Sequence, residues 1–140
     1  MPDSDADAIR RTLALYCQLC DDGRFDDWID LFTKDARFHV MGRTVSGRTE
    51  ILAFMEAAQG PDQRGRHMIS GSVIDLAPST ASACAWTDYV FLDRRNAVTS
   101  IGRYHDELVR GDDGRWRFAL REVVFLGDAP ELAGPAPSRA

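Results

Sequence analysis

Apolar positions near the start of the chain recur with the spacing of a helix. The recurring residues are Ile9, Leu13, Tyr16, Cys17 and Cys20. Intervals of three and four residues place them on one face, which predicts a helix over about residues 5–22 with a single buried stripe. Ser4 is a suitable N-cap for this helix, and Gly23 is a suitable residue for its end.

Two more helices and one strand are predicted next. A short helix around Trp28 has an apolar face that continues to Phe32, and a strand follows over residues 35–40. Gly47 opens a third helix, and the glycine-proline break that begins at Gly60 ends it.

From residue 66 onward the pattern changes to long runs of β-branched and aromatic residues. These runs cover residues 67–76, 80–92, 97–110 and 115–126. Short turn-like connections separate them, so consecutive strands pair as an antiparallel meander with the helices collected on one face. The sequence therefore predicts an α+β domain in which three N-terminal helices close a pocket over a curved, cone-like antiparallel sheet. A flat two-layer sandwich with a filled core is the alternative.

Length, composition and charge narrow the class of protein. The chain has 140 residues, an apolar fraction of 44% and a net charge of −5. We predict one domain over residues 1–127 and a flexible C-terminal arm over residues 128–140, which is rich in proline and glycine.

The acidic balance argues against nucleic acid and anionic membranes as partners, because both need a basic surface. No run approaches the roughly 18 apolar residues of a membrane-spanning helix, and the N-terminus lacks the features of a signal peptide. We therefore expect a cytoplasmic protein.

The three cysteines indicate a reduced protein, because an odd number does not suit a disulfide framework. Cys17 and Cys20 form a C-x-x-C pair, but both lie on the buried stripe of the first predicted helix. Core packing therefore explains them better than redox chemistry or zinc binding. No metal-binding, phosphate-binding or nucleotide-binding motif occurs in the sequence, so neither a metal nor a cofactor is predicted.

Asp21, Tyr16 and His67 are the candidate catalytic residues. Asp21 stands at the carboxyl end of the first helix, where the helix dipole disfavours a negative charge, and it suits a general base or a partner that orients a histidine. Tyr16 lies five residues earlier, roughly 140° around the helix. It is either a packing residue with one hydrogen bond or a hydroxyl donor to a carbonyl or enolate oxygen. His67 opens the first strand of the meander, and histidine exchanges protons near neutral pH.

Asp88, His105 and Arg121 are candidates for binding the polar end of a substrate. Each lies in a β run, where alternation decides whether a side chain faces the pocket or solvent. A turn over residues 93–96 places Asp88 opposite Ile101 and on one face with His105. A turn over residues 111–114 places Arg121 opposite Tyr104 on the other face. A single β-bulge would reverse either assignment, so the two sets remain alternatives.

Several short motifs lie along residues 6 to 127. They include Tyr16-x4-Asp21, Asp26-Asp27-Trp28, Arg66-His67, Gly102-Arg103-Tyr104-x-Asp106 and Gly114-x-Trp116-Arg117-Phe118. In this pattern the chain resembles the SnoaL-like domains of the nuclear-transport-factor-2-like superfamily. Relatives include bile-acid dehydratase, scytalone dehydratase, ketosteroid isomerase, polyketide cyclases, limonene-type epoxide hydrolase and the small subunits of ring-hydroxylating dioxygenases. The resemblance implies a curved sheet around a conical pocket, usually in a homodimer.

The resemblance also implies roles for the candidate residues. In dehydratases of this type an Asp–His pair performs the proton transfers, and Asp21 with His67 matches that pair. Relatives with a second acid in the pocket place it near Asp88. Cys20 stands where scytalone dehydratases carry a tyrosine. The chain therefore fits the bile-acid-dehydratase arrangement better, in which a tyrosine precedes the aspartate by five residues, as Tyr16 does here.

We therefore predict a cofactor-independent lyase or isomerase, dehydratase-like, that acts on a small hydrophobic polycyclic or aromatic ketone. Two alternatives stay open. In the first, the domain has no catalytic role and either binds a hydrophobic molecule or serves as the small subunit of a ring-hydroxylating dioxygenase. In the second, it is an epoxide hydrolase that uses Asp88 and Arg121 in an Asp–Arg–Asp arrangement.

Overall fold

A computed structural model of the protein describes residues 4–78 and 81–127. The helices within these residues are α1 (Asp5–Asp21), α2 (Phe25–Ile29) and α3 (Arg48–Ala58). The strands are β1 (Phe32–Val40), β2 (Arg43–Ser46), β3 (Arg66–Leu76), β4 (Ser82–Leu92), β5 (Val98–Arg110) and β6 (Trp116–Gly127). The predicted flexible arm over residues 128–140 lies outside the described residues.

The strands form one curved, open sheet in the order β2-β1-β6-β5-β4-β3. Strands β3 to β6 pair antiparallel in chain order, as the predicted meander requires, and β1 adds to the sheet parallel to β6. The α+β class with a curved sheet is confirmed. Each of the four predicted meander strands begins and ends within two residues of the observed one.

The first helix follows from its caps and its buried stripe. The side chain of Ser4 accepts a hydrogen bond from the backbone N–H of Asp7 at 3.1 Å, which satisfies one of the free donors of the first turn. Gly23 has a φ of 72°, a left-handed conformation that ends a helix without steric cost. The predicted stripe is buried, so α1 lies with that face against the sheet.

Two strands differ from the prediction. Strand β1 begins at Phe32, three residues early, because the backbone N–H of Phe118 bonds to the carbonyl of Leu31 at 2.8 Å and ties this segment to β6. The sequence does not predict β2. Its turn carries Met41 and Gly42 with φ values of 52° and 74°, and such a turn is usually announced by asparagine or aspartate before the glycine.

The sheet has an inner face, covered by helices, and an outer face. Along β4 the side chains of Ala85, Thr87 and Tyr89 point to the inner face and are buried, whereas Trp86 and Asp88 alternate with them on the outer face. The same alternation continues along β5. None of the helices in the described part of the chain is both long enough and apolar enough to cross a membrane.

Candidate active site

A cavity of about 200 Å³ lies between the inner face of the sheet, α1 and α3. Much of its lining is apolar and includes Phe38, Phe54, Met55, Phe91, Val123 and Phe125. Polar groups are contributed by Tyr16, Gln59, His67, Tyr89, Ser100 and Tyr104. An apolar cleft with a few convergent polar groups is the usual form of a small-molecule site.

Asp21 and His67 form a tight pair at the wall of this cavity. Nδ1 of His67 lies 2.6 Å from Oδ1 of Asp21, and the backbone N–H of His67 donates to Oδ2 at 2.8 Å. The side chains are 10% and 4% exposed for the histidine and the aspartate. Both oxygens of one carboxylate therefore hold the histidine, at its ring and at its backbone.

This contact selects the tautomer that general base catalysis needs. A carboxylate beside Nδ1 accepts the Nδ1 proton, which leaves Nε2 as the unprotonated nitrogen of the neutral ring. His67 lines the cavity, so Nε2 is the nitrogen available to a bound molecule. The pair can take a proton from such a molecule and return it.

Tyr16 lies next to this pair on α1 and is 2% exposed. Its ring meets that of His67 edge-on, with centroids 6.4 Å apart, and packs against the rings of Trp28 and Tyr104. Burial raises the pKa of the Tyr16 phenol well above its usual range, and the guanidinium of Arg121 opposes that shift. The phenol is therefore a neutral hydrogen-bond donor at physiological pH.

Arg121 lies on the inner face, where Nε and Nη2 donate to the two carboxylate oxygens of Asp106 at 2.8 and 3.0 Å. Burial works against the guanidinium charge, but the Asp106 carboxylate and the nearby phenols outweigh it and raise the pKa of Arg121. Arg121 is therefore charged inside the protein. Asp106 engages two of its nitrogens, and Arg121 is not among the residues that line the cavity.

Asp88 and His105 lie on the outer face. Asp88 accepts hydrogen bonds from Arg103 at 2.5 and 3.2 Å, and Nδ1 of His105 lies 3.5 Å from a carboxylate oxygen of Glu122. Neither residue lines the cavity, because strand alternation turns both away from it. The structure thus places the side chains of both predicted substrate-binding residues away from this cavity.

The strand register explains which set faces inward. Asp88 pairs with Arg103 rather than with Ile101, a shift of two residues that includes an irregularity at Phe91 and leaves the face unchanged. Arg121 pairs with Asp106 rather than with Tyr104. One residue of that shift comes from a longer turn and one from a bulge between Glu107 and Leu108, so the two changes cancel in parity.

One group of three potential metal ligands occurs in the ranges that the structure describes. The ligand atoms of Cys20, Asp21 and His67 lie within 4.8 Å of one another. Burial raises the pKa of the Cys20 thiol to about 12, which disfavours the thiolate that a metal would need. Asp21 is also engaged by the histidine. The group therefore fits a hydrogen-bonded Asp–His pair better than a metal centre. Cys17 and Cys20 are both buried free thiols.

The sequence alone did not identify Asp106 as the partner of Arg121 or Gln59 as a wall of the cavity. Asp106 sits two residues after Tyr104 in one of the family motifs, so shared alternation on β5 is the signal that would have found it. Gln59 caps the end of α3 at a break in the pattern, where periodicity gives no direction.

The curved α+β sheet, with a pocket closed by helices and an Asp–His pair at the wall of that pocket, defines the class of fold to which the chain belongs. The sequence profile of the SnoaL-like domain family matches residues 4–122, and the chain belongs to this family. No match to a curated protein was found for the sequence.

Solved structures show the same fold. Rv3472 of Mycobacterium tuberculosis, described as a protein of unknown function, is 22% identical with a TM-score of 0.81, covering 94% of this chain and 82% of that one. A putative scytalone dehydratase of Novosphingobium aromaticivorans is 23% identical with a TM-score of 0.77, covering 97% and 95%. ActVI-ORFA of Streptomyces coelicolor is 22% identical with a TM-score of 0.77, covering 87% and 98%. These matches extend the nuclear-transport-factor-2-like fold to nearly the whole chain.

Proposed function

We propose that the protein is a cofactor-independent lyase or isomerase, dehydratase-like, that acts on a small hydrophobic ketone. The observation that carries this proposal is the pair formed by His67 and Asp21, with Nδ1 and Oδ1 2.6 Å apart at the wall of an apolar cavity. A fold shared with a putative scytalone dehydratase supports it.

In the proposed reaction Nε2 of His67 removes the proton α to the carbonyl of the substrate. Asp21 stabilises the imidazolium that forms, through the hydrogen bond at Nδ1. The electron pair of the broken C–H bond moves to the carbonyl oxygen, and the hydroxyl of Tyr16 donates a hydrogen bond to the resulting enolate.

The second step returns the proton. As the enolate collapses, a carbon–carbon double bond forms and the β-hydroxyl departs, protonated by the imidazolium of His67 to give water. His67 is then neutral again, and no oxidant, reductant or cofactor is consumed. If the substrate instead carries a β,γ carbon–carbon double bond, removal of the α proton gives a dienolate, and return of the proton to its γ-carbon gives the conjugated isomer.

The size of the cavity narrows the substrate class. A cavity of roughly 150 Å³ holds one benzene ring, so a cavity of about 200 Å³ suits one or two fused rings rather than a four-ring skeleton. Its apolar walls suit an aromatic or alicyclic body. We therefore favour a β-hydroxy ketone built on one or two rings.

The proposal is tested by assaying Asp21→Asn and His67→Gln against one- and two-ring β-hydroxy ketones. Loss of a general acid–base typically lowers the rate by roughly 10²- to 10⁴-fold, and we expect losses in that range for His67→Gln. His105→Gln is the matched control, because His105 also lies beside a carboxylate but on the outer face. Unchanged turnover in folded Asp21 and His67 variants would contradict the proposal.

The alternatives predict other outcomes of the same assays. Binding of these ketones by the wild-type protein without turnover would favour a domain that binds a hydrophobic molecule. The epoxide hydrolase alternative depends on Asp88 beside Arg121, but the carboxylate that holds Arg121 belongs to Asp106, and Asp88 bonds to Arg103. The homodimer stays a prediction, which sedimentation equilibrium would test.

A further inference from the structure

The inner face carries a second buried charged group to which the proposed reaction gives no role. Arg121 and Asp106 form a two-point ion pair, with side-chain exposures of 1% and 0%. Nη1 of Arg121 is buried and has no hydrogen-bond partner among residues 4–78 and 81–127. Burying two charges costs as much as their attraction returns in many proteins, so stability alone does not account for the pair.

The surroundings of the guanidinium indicate what it does. Its central carbon lies 4.1 Å from the ring centroid of Tyr16, 3.6 Å from that of Tyr104 and 4.4 Å from that of Phe118. A cation within about 6 Å of a ring face is attracted to it. The cation thus fixes two phenol rings from two different elements, α1 and β5, against each other.

Both phenols line the cavity, whereas Arg121 does not. A ligand therefore meets the hydroxyl-bearing rings, and the positive charge lies beyond them. A nearby positive charge withdraws electron density from a phenol and makes its O–H a stronger hydrogen-bond donor. It also stabilises any negative charge that accumulates on the oxygen to which the phenol donates.

We infer that Arg121 is a positioning residue that acts through Tyr16 and Tyr104, holding both rings in place and strengthening their hydroxyl groups as donors to an oxyanion in the cavity. The inference rests on the proposed function for its meaning, because the oxyanion is the enolate of that reaction. It also adds Tyr104 to Tyr16 as a second phenol that contacts the substrate.

The electrostatic surroundings agree with this role. Burial is the largest influence and raises the pKa of both phenols, and Arg121 lowers each against that trend. The carboxylate of Asp106 acts the other way and raises the pKa of Tyr16. Removing the cation and removing the anion should therefore shift the acidity of Tyr16 in opposite directions.

The small number of tyrosines allows a direct test. Trifluorotyrosine, whose phenol is more acidic than that of tyrosine, is placed singly at position 16, 104 or 89, and its pKa is followed by fluorine NMR. These are the three tyrosines of the chain. Tyr89 is the internal control, because its ring stacks on Tyr104 at 4.6 Å and so lies one ring farther from the guanidinium.

The comparison uses Asp106→Leu/Arg121→Met, which removes the pair without leaving one buried charge unpaired. Arg121 has a larger influence than Asp106 on the pKa of Tyr16, so loss of the cation should outweigh loss of the anion. We therefore expect the pKa at positions 16 and 104 to rise by about one unit, a tenfold weaker acid, with a smaller shift at position 89. Asp106→Asn, which keeps the cation, should lower the pKa at position 16. Arg121→Lys, which keeps the charge, should restore part of the wild-type value.

An unchanged pKa at position 16 in the double variant, or an equal shift at all three positions, would overturn the inference. Circular dichroism and thermal unfolding confirm that each variant is folded before its phenols are titrated. The titration needs neither a ligand nor turnover, so its outcome is independent of whether the proposed reaction is found.

Discussion

On the inner face of the sheet Arg121 donates two hydrogen bonds to Asp106, and on the outer face Arg103 donates two to Asp88. In both pairs the partners are 15 residues apart on neighbouring strands. The inner side chains are 1% and 0% exposed, and the outer ones are 31% and 47% exposed. The same chemistry therefore occurs twice in one sheet, once in the protein interior and once at the surface.

The two histidines on the sheet repeat the contrast. His67 lies 2.6 Å from Asp21 at the cavity, and His105 lies 3.5 Å from Glu122 on the outer face with 43% of its side chain exposed. In water both the ion pair and the hydrogen bond are screened, whereas burial strengthens them and leaves them no alternative partner. Residue pairing alone therefore does not mark a site, because the burial of a pair decides what the pair can do.

The largest expected effect comes from breaking the inner pair. Arg121→Met leaves the Asp106 carboxylate buried without a partner, and we expect the free energy of unfolding to fall by roughly 3–5 kcal/mol. Urea unfolding followed by tryptophan fluorescence measures this loss. Arg103→Met is the matched outer variant, and its loss should stay within the scatter of ordinary surface substitutions. Equal losses in the two variants would remove the distinction between the faces.

The double variant Asp106→Leu/Arg121→Met sharpens the same comparison. Replacing a buried ion pair by apolar side chains is often neutral or stabilising, so we expect it to recover most of the stability that Arg121→Met loses. Its urea midpoint should lie close to that of the wild-type protein. A double variant as unstable as the single one would mean that the pair itself supports the packing of α1 against the sheet.

The sequence predicted most of the fold because long segments carried one consistent pattern. Helix α1 and the four meander strands are long runs of one residue pattern bounded by clear turn residues, and they lie where predicted. Strand β2 has only four residues and a turn that begins with Met41. A segment that short gives too few repeats to distinguish a strand from a loop.

The sequence predicts the candidate site well where its residues share one helix. It predicts the site less well where the register between strands decides which side chains face inward. Tyr16 and Asp21 share α1, so helical geometry places them together. The pairing of Arg121 depends on a longer turn and on one bulge between β5 and β6, and the sequence does not show where a bulge falls. The sequence therefore does not show that Asp106 is the partner of Arg121, although Asp106 lies in one of the family motifs.

A smaller loss of stability is expected from substitutions at two neighbouring residues of β5, one on each face of the sheet. A methyl group on Gly102 would lie 2.3 Å from the ring of Tyr89 and 2.6 Å from the carbonyl oxygen of Val124. Gly102→Ala should therefore cost about 1–3 kcal/mol through overpacking at the inner face. Ile101→Ala, at a side chain that is 42% exposed, is the matched outer variant and should cost less. Differential scanning calorimetry of both variants compares them, and a larger loss for Ile101→Ala would contradict the assignment of faces.

The smallest expected effect concerns an exposed ion pair at the turn between β5 and β6. Hydrogen bonds from the side chain of Arg117 and the backbone of Arg115 lower the pKa of Asp113 from its ordinary value of 3.8 to about 2. A carboxyl group with a lowered pKa in the folded state stabilises the protein above its unfolded-state pKa, and this contribution is lost as the pH falls toward the folded-state value. The difference in urea midpoint between wild type and Asp113→Asn should thus be small and constant near neutral pH and should vanish between about pH 4 and pH 2.

The Asp106→Leu/Arg121→Met double variant should show the same dependence on Asp113, because the inner pair and this turn do not share partners. A change in that dependence would mean that the inner and the exposed pairs are coupled through β6.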